Sequence, residues 1–312
     1  MMEYQRRHCT PEPLLSTKFT DLNIAEAIRL ACVLEVTARK PGNVHPEASF
    51  ADLKYEHFVT SAAVAAPALA AAGDTGVGRA IHMAAVRTHA ATGRNTNLGT
   101  LLLIAPLAAV PAQQSLREGI DRVLCGLGIE DARFTYDAIR LMQPGGMGLV
   151  ESEDISGVPT CTLLECMQLA ADRDLVALQY ANGYQPVIYD ALDLLAQCVQ
   201  TSQAWDQTVI TLQLSLMSHY PDTLIERKCG PETARESADR AKRILDAGWP
   251  DAVRSRSLLK EFDSWLRNDG HRRNPGTTAD LIAACLFAAL REGVLDHAKV
   301  LQVVDPETVE RV

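Results

Sequence analysis

Long apolar stretches with helical spacing alternate with short polar breaks along most of the chain. Apolar residues recur three and four positions apart, which places them on one face of an α-helix. In the first stretch, Asp21 is the predicted N-cap, and the helix is expected to end at Arg39-Lys40-Pro41-Gly42. The same spacing predicts further helices near residues 55–72, 76–92, 98–109, 114–125, 129–142, 162–181, 187–200, 205–218, 231–247, 254–268 and 277–292.

No segment alternates apolar and polar residues with a period of two, so no strand is predicted. No repeat and no clear linker divides the chain. The pattern therefore predicts an all-α fold. It consists of an N-terminal extension, residues 1–20, and a single large multi-helix domain, residues 21–312.

The composition limits the classes of partner. A net charge of −9 argues against a basic surface for nucleic acid, although a few lysines in one cleft would still bind a nucleotide. The apolar run 61–72 is too short to span a bilayer, and residues 1–13 show no secretory signal, so a cytoplasmic protein is expected. The eight cysteines include no Cys-x-x-Cys pair, and we interpret them as small apolar core residues. A homodimer is compatible with the sequence, which does not determine the oligomeric state.

Three polar breaks contain residue types that bind anions or metals. They read Lys40-Pro41-Gly42-Asn43-Val44, Asn95-Thr96-Asn97-Leu98-Gly99 and Asn274-Pro275-Gly276-Thr277-Thr278-Ala279-Asp280. Each has a structural interpretation: a helix stop at Lys40, an N-cap at Asn95, and a capping box from Thr277 to Asp280. The functional alternatives are a phosphate-binding lysine, an anion-binding helix start, and a magnesium ligand or general base.

Two further segments concentrate charge. Residues 222–230 contain two acidic and two basic side chains, which fits either a solvated turn or a site for magnesium and a triphosphate. Glu151, Glu153 and Asp154 form a second, less specific acidic cluster.

In this order, the motifs resemble those of the triphosphoribosyl-dephospho-CoA synthase family. Its members carry a helix ending in Lys-Pro-Gly, an Asn-Thr-x-x-Gly loop, an Asp-Thr segment running into a basic Gly turn, and a Pro-Gly-x-x-Ala-Asp-Leu helix start. The resemblance spans roughly residues 25–290. The matching positions are Glu35, Lys40, Pro41, Gly42, Asn95, Thr96, Gly99, Asp222, Thr223, Gly230, Pro275, Gly276, Ala279, Asp280 and Leu281.

The resemblance implies an all-helical transferase that moves the triphosphoribosyl group of ATP to a ribose hydroxyl of dephospho-CoA and releases adenine. Mg²⁺ is implied with ATP, and Asp222 and Asp280 are its expected ligands. The implied catalytic residues are Asp280, Asp222 and Glu35. The implied nucleotide-binding residues are Lys40, Gly42, Asn43, Asn95, Thr96, Gly99, Thr223, Lys228, Gly276 and Thr277.

The chain also departs from the family pattern. Well-studied members have His-Lys where this chain has Asn97-Leu98, Leu-Val-Asp where it has Asn43-Val44-His45, and Arg-Gly-Gly where it has Lys228-Cys229-Gly230. It resembles a branch found beside genes of tetrahydromethanopterin-dependent one-carbon metabolism, which implies that the acceptor or donor can differ. A magnesium-dependent nucleotide or ribosyl hydrolase and a non-catalytic nucleotide-binding protein remain alternatives.

Overall fold

The structure is a computed structural model that describes residues 22–145, 153–201 and 203–303. In these ranges the chain forms α-helices and one π-helical segment, Gln185–Ala191, and no strand. The predicted all-α fold is confirmed. The helices are α1 Ile24–Thr37, α2 Tyr55–Ala70, α3 Ala72–Thr75, α4 Val77–Thr92, α5 Leu98–Ala109, α6 Leu116–Cys125, α7 Ile129–Met142, α8 Leu163–Ala170, α9 Leu175–Ala181, α10 Leu192–Gln200, α11 Trp205–His219, α12 Thr223–Cys229, α13 Pro231–Asp246, α14 Val253–Arg267, α15 Gly276–Arg291 and α16 His297–Val303.

Several helix boundaries differ from the prediction. Asn23 caps α1 through a capping box with Glu26, whereas the predicted cap, Asp21, lies outside the described residues, as do the extension 1–20 and Glu151. The predicted helix 162–181 is two helices, because Asp174 accepts a hydrogen bond from the Val176 backbone N–H (2.8 Å) and starts α9 as a new N-cap.

Besides the four-residue α3, two helices lie where none was predicted. The segment 220–230 contains α12, and the C-terminal tail contains α16. Both are short, at seven residues each, so helical spacing gives little signal for them.

Helices α5 and α15 form the centre of the fold. Thirteen of the 16 residues of α15 are buried, and so are ten of the 12 residues of α5. A helix that is apolar on all sides is stable only when other helices surround it. Both helices therefore run through the main hydrophobic core, which contains Leu101, Leu103, Ile104, Leu281, Cys285, Phe287 and Leu290.

A proline inside α5 explains two buried tyrosines. Pro106 has no backbone N–H, so the Leu102 carbonyl loses its helical partner. The Tyr180 hydroxyl donates to that carbonyl at 2.6 Å, and the Tyr184 hydroxyl donates to the next carbonyl, of Leu103, at 3.0 Å. Both tyrosines are buried in the core. Their hydroxyl groups therefore keep these buried carbonyls of the central helix hydrogen-bonded despite its proline.

A second, smaller hydrophobic cluster joins α11, α12, α13 and α14. It contains Ile210, Leu214, Met217, Ile225, Ala234, Ala241, Ile244, Phe262 and Leu266. Helix α15 contacts both α11 and α12, so its N-terminal end lies where the two clusters meet. Within the described ranges, no helix is long and apolar enough to cross a membrane.

Candidate active site

A cavity of about 1000 Å³ opens where α5 and α15 begin. Its wall includes the end of α1, the ends of α7 and α12, and parts of α8 and α9. Nine residues of the predicted site line it: Glu35, Asn43, Asn95, Thr96, Gly99, Lys228, Gly276, Thr277 and Asp280. Four predicted site residues are not part of its lining: Lys40, Gly42, Asp222 and Thr223.

Asp280 projects from α15 toward the start of α5. Its Oδ1 accepts a hydrogen bond from the Thr100 hydroxyl at 2.6 Å. A Cβ on Gly99 would lie 2.1 Å from Oδ2 of Asp280, so only glycine allows the two helices to approach this closely. Burial, opposed by the Thr100 hydrogen bond and reinforced by the negative charge of Glu35, raises the pKa of Asp280 to about 7. This carboxyl group can therefore exchange a proton near neutral pH.

Glu35 lies in the same part of the cavity, on the last turns of α1. Its Oε1 is 2.9 Å from Nζ of Lys40, whose side chain is completely buried. The same ammonium donates hydrogen bonds to the backbone carbonyls of Glu35 and Ala38. The ammonium of Lys40 is thus directed at Glu35 and not into the cavity.

Cys32, one turn before Glu35 on α1, lines the same cavity as the two carboxyl groups. Burial raises the pKa of the Cys32 thiol to about 12, and the negative charges of Glu35 and Asp280 add to this rise. Two carboxyl groups in different environments, one paired with a cation and one not, are a common arrangement for acid–base chemistry.

Asp222 joins the N-terminal ends of two helices. Its Oδ1 accepts the backbone N–H groups of Leu224 (2.9 Å) and Ile225 (3.0 Å) at the start of α12. Its Oδ2 accepts the backbone N–H (2.7 Å) and the hydroxyl (2.8 Å) of Thr278 in α15. Burial raises the pKa of Asp222, and these four hydrogen bonds oppose that rise.

The hydrogen bonds to Asp222 determine whether its carboxylate can bind the predicted magnesium ion. Both of its oxygens already accept two hydrogen bonds each, and Asp222 does not line the cavity. A magnesium ion needs carboxylate oxygens with free lone pairs. Asp222 therefore does not fit the predicted magnesium site, whereas Asp280 lines the cavity.

Thr223 and Thr277 strengthen the same helix junction. The Thr223 hydroxyl accepts a hydrogen bond from the Leu175 backbone N–H and donates one to the Thr277 hydroxyl, both at 3.3 Å. Thr223 thus lies between α9, α12 and α15, while Thr277 also reaches the cavity.

The turn after α1 is fixed against α14 and α15. Gly42 has a φ of +75°, and a Cβ there would lie 2.8 Å from Leu266. The Asn43 side chain donates to Oδ1 of Asn274 at 2.8 Å and accepts from the Gln213 side chain at 3.1 Å. Gly42 is therefore needed for packing. Asn43 lines the cavity, and its hydrogen bonds to Asn274 and Gln213 hold it in place.

The loop before α5 presents polar side chains to the cavity. Asn95 accepts the Leu98 backbone N–H at 3.3 Å, and the Thr96 hydroxyl is 2.6 Å from the Ser61 hydroxyl. Gly276 also lines the cavity, and a Cβ there would lie 2.5 Å from Leu224. The structure thus brings the Asn95 motif and the Asp280 motif to one cavity.

Basic side chains surround the same cavity, and most of them were not predicted. Lys228 was expected; Arg94, Arg140, Arg173 and Arg227 also line the wall. Sequence reasoning missed Arg94, Arg140 and Arg173, because they come from separate helical regions, whereas Arg227 belongs to the charged segment 222–230 but was not singled out. Of the three missed arginines, only Arg94, directly before Asn95-Thr96, carried a signal by position.

These basic side chains differ in the ion pairs and hydrogen bonds that they already form. Arg227 forms an ion pair with Asp174 at 2.7 Å. In the described part of the chain, the side chains of Arg94 and Lys228 have no hydrogen bond or ion pair. Burial and the neighbouring Arg227 lower the pKa of Lys228. A bound anion would stabilise its charged form.

Comparisons with known proteins give a consistent result. A family model described as ATP:dephospho-CoA triphosphoribosyl transferase matches residues 21–298. A protein of Pseudomonas syringae pv. tomato named "Probable 2-(5''-triphosphoribosyl)-3'-dephosphocoenzyme-A synthase" is 30% identical over 109 residues. That match covers 35% of this chain and 37% of the relative.

A solved structure shares the fold. It is a crystal structure from Archaeoglobus fulgidus, described as a candidate triphosphoribosyl-dephospho-CoA synthase. It superposes with a TM-score of 0.59 at 25% identity and covers 75% of this chain and 99% of that chain.

Proposed function

Because the chain belongs to the ATP:dephospho-CoA triphosphoribosyl transferase family, we propose that it transfers the triphosphoribosyl group of ATP to a ribose hydroxyl of dephospho-CoA. The observation that carries the proposal is one cavity whose lining includes the carboxyl groups of Glu35 and Asp280 together with basic side chains. Such a cavity offers acid–base groups for a glycosidic bond and cations for a triphosphate.

The reaction breaks the bond between C1′ of the ATP ribose and N9 of adenine. The leaving adenine keeps the bonding electrons and takes up a proton, and the acceptor oxygen forms a new bond to C1′. Positive charge develops at C1′ in the transition state, as in glycoside hydrolysis. The paired carboxylate of Glu35 stabilises that charge, and Asp280 takes the proton of the acceptor hydroxyl. A pKa of about 7 suits Asp280 to this role near neutral pH.

The triphosphate is assigned to the basic part of the wall. Arg94 and Lys228 offer charged groups without a partner among the described side chains, and Arg227 lies beside Lys228. The polar groups of Asn95 and Thr96 orient phosphate or ribose oxygens. Gly276 and Thr277 add the N-terminal end of α15, where the helix dipole favours an anion.

Lys40 and Asp222 receive positioning roles in this proposal. Lys40 holds the Glu35 carboxylate at 2.9 Å, and Asp222 connects the first turns of α12 and α15. Both act through a neighbour that lines the cavity: Lys40 through Glu35, and Asp222 through the helix that carries Asp280. These roles replace the phosphate-binding, base and metal-binding roles that the sequence suggested for them.

The magnesium requirement, the homodimer and the cytoplasmic location stay predictions. Dephospho-CoA itself is also part of the proposal, because the match with the curated relative spans only 37% of that protein's length. The Asn97-Leu98 departure lies in the cavity wall, next to Asn95 and Thr96, so a related acceptor is a specific alternative to dephospho-CoA.

The test is adenine release. Purified protein is incubated with ATP and magnesium, with and without dephospho-CoA, and adenine and the coupled product are measured by chromatography and mass spectrometry. Adenine that appears only with dephospho-CoA, together with a product heavier by one triphosphoribosyl group, supports the proposal. Adenine without an acceptor indicates a hydrolase, and absence of adenine with intact binding indicates a binding protein.

A pair of matched variants tests whether Asp280 takes part in the reaction. Asp280→Asn should lower adenine release by about 100-fold or more, because general acid–base catalysis contributes on that scale. Asp239→Asn is the control, because Asp239 is an exposed aspartate on α13, away from the cavity. Equal activity of Asp280→Asn and the control would remove Asp280 from the reaction.

A further inference from the structure

Three side chains that the proposed chemistry does not use converge at the edge of the cavity. Ligand atoms of Glu153, Cys161 and Cys166 all lie within 4.8 Å of one another. The two sulfur atoms are 3.2 Å apart, and Sγ of Cys166 is 4.0 Å from Oε2 of Glu153. Glu153 and Cys166 also line the cavity.

The start of α8 explains why the sulfur atoms meet. Thr162 caps this helix through a capping box with Glu165. Cys161 and Cys166 flank that box at the two positions where apolar side chains commonly pack together. Any two apolar residues would serve this purpose, so the helix start accounts for the contact but not for the thiols.

Packing at the start of α8 does not explain the position of the Glu153 carboxylate. Its carboxylate accepts hydrogen bonds from the Thr160 backbone N–H, at 2.9 Å, and from the Thr160 hydroxyl. Its backbone carbonyl accepts the Tyr136 hydroxyl at 2.7 Å. The carboxylate is thus held in place beside two thiols, one of them buried. Within the described ranges, no basic side chain forms an ion pair with Glu153.

Two thiols and an oriented carboxylate are a ligand set for a borderline divalent cation. Zinc binds thiolate sulfur at about 2.3 Å and carboxylate oxygen at about 2.0–2.2 Å, commonly with four ligands. Tetrahedral zinc would place the two sulfur atoms about 3.7 Å apart, a shift of roughly half an ångström. Magnesium and calcium prefer sites made of oxygen alone. The hydrogen bonds from Thr160 would orient the carboxylate as an outer shell of ligands does.

We propose that Glu153, Cys161 and Cys166 bind a zinc-class divalent cation, whose fourth position faces the cavity. Each thiol releases one proton on binding, so one Zn²⁺ displaces two protons and is held by two thiolates and one carboxylate. The cation would connect the chain before α8 to the helix itself, because Glu153 comes from the preceding loop. Its open position would take water or a donor atom of a bound molecule.

The experiment titrates metal-free, reduced protein with Co²⁺, and then displaces it with Zn²⁺. Cobalt bound by thiolates gives charge-transfer bands in the near ultraviolet, and four-coordinate cobalt gives intense bands in the visible range. One equivalent per chain with both signals is the expected result. Absence of thiolate charge transfer in protein with free thiols would overturn the proposal. An intramolecular Cys161–Cys166 disulfide that forms in air in the presence of zinc would overturn it as well.

Variants separate this site from the other thiols. Cys161→Ser and Cys166→Ser should each weaken cobalt binding by about 100-fold or more. Glu153→Gln should retain the charge-transfer bands with weaker affinity and altered visible bands. Cys125→Ser is the control, since Cys125 is an exposed thiol on α6 and not the core residue that the sequence suggested. Far-ultraviolet circular dichroism of each variant verifies folding, and unchanged binding in folded Cys161→Ser/Cys166→Ser protein would also refute the site.

Discussion

At the scale of single residues, the environment of a carboxyl group decides what it can do. Glu35 has a buried cation at 2.9 Å, whereas Asp280 has a hydroxyl donor at 2.6 Å and no cation in contact among the described residues. The sequence identified both as site residues, but it could not show that Lys40 turns toward Glu35. Contacts of the Lys40 ammonium with the backbone carbonyls of Glu35 and Ala38 fix that orientation, and a helix-stop motif carries no information about it.

The raised pKa of Asp280 predicts a pH-dependent effect on stability. Its pKa rises from an ordinary value of 3.8 to about 7, so the folded protein keeps a proton that the unfolded chain loses above about pH 4. The stability contributed by the protonated group is therefore present below about pH 4 and lost as the pH rises through about 7. Asp280→Asn removes this loss.

Urea unfolding of both proteins between pH 4 and pH 8 measures the effect. The free energy of unfolding of Asp280→Asn, relative to the wild type, should increase with pH and level off above about pH 7. Asp239→Asn should show no such trend. A difference that stays constant over this range would mean that the pKa of Asp280 is not raised.

The ion pair between Lys40 and Glu35 gives a second prediction at this scale. Lys40→Met keeps an unbranched side chain, one atom shorter, but leaves the Glu35 carboxylate largely buried without its cation. We expect a loss of roughly 3 kcal/mol in the free energy of unfolding, because breaking one partner of a buried pair is costly. Glu35→Gln/Lys40→Met should recover much of that loss. If the double variant is as unstable as the sum of the single variants, the two side chains do not interact.

At the scale of helices, the site depends on how closely α5 approaches α15. Gly99→Ala places a methyl group 2.1 Å from the present position of Oδ2 of Asp280, so the carboxyl group or the helix must move. We expect a loss of about 1–3 kcal/mol in stability, as for other overpacked contacts. Adenine release should fall as well. Gly73→Ala is the control, because a Cβ there meets only ordinary contacts at 3.7 Å and beyond.

Thermal unfolding and adenine release, both measured for Gly99→Ala and Gly73→Ala, test this prediction. The control should differ little from the wild type in both measurements, because alanine is well tolerated in a helix. A Gly99→Ala protein with unchanged stability and activity would show that α5 and α15 can separate at no cost. The close approach would then not determine the geometry of the site.

At the scale of the whole molecule, sequence patterns predicted the all-α class and the two motifs that meet at the cavity. They failed where a residue's role depends on a distant partner. Asp222 fits a metal-ligand motif, yet its oxygens accept hydrogen bonds from two helix starts, and one of the donors, Thr278, is 56 residues away in sequence. The arginines at positions 94, 140 and 173 lie in different helical regions, so only the packed fold shows that they share a cavity.

Two basic side chains of the cavity wall, which have no partner among the described residues, come from helical regions that pack in different hydrophobic clusters. The last prediction follows from this arrangement. Arg94 follows α4, which packs in the main core, whereas Lys228 belongs to α12, which packs in the smaller cluster. Inorganic triphosphate should bind between them and stabilise the protein against heat. Arg94→Ala and Lys228→Ala should each weaken binding by about tenfold, because each removes a charged hydrogen-bond donor to the same anion. Arg254→Ala, an exposed cation on α14, should leave the affinity unchanged. Calorimetric titration with triphosphate gives these affinities, and equal binding by all three variants would place the triphosphate elsewhere.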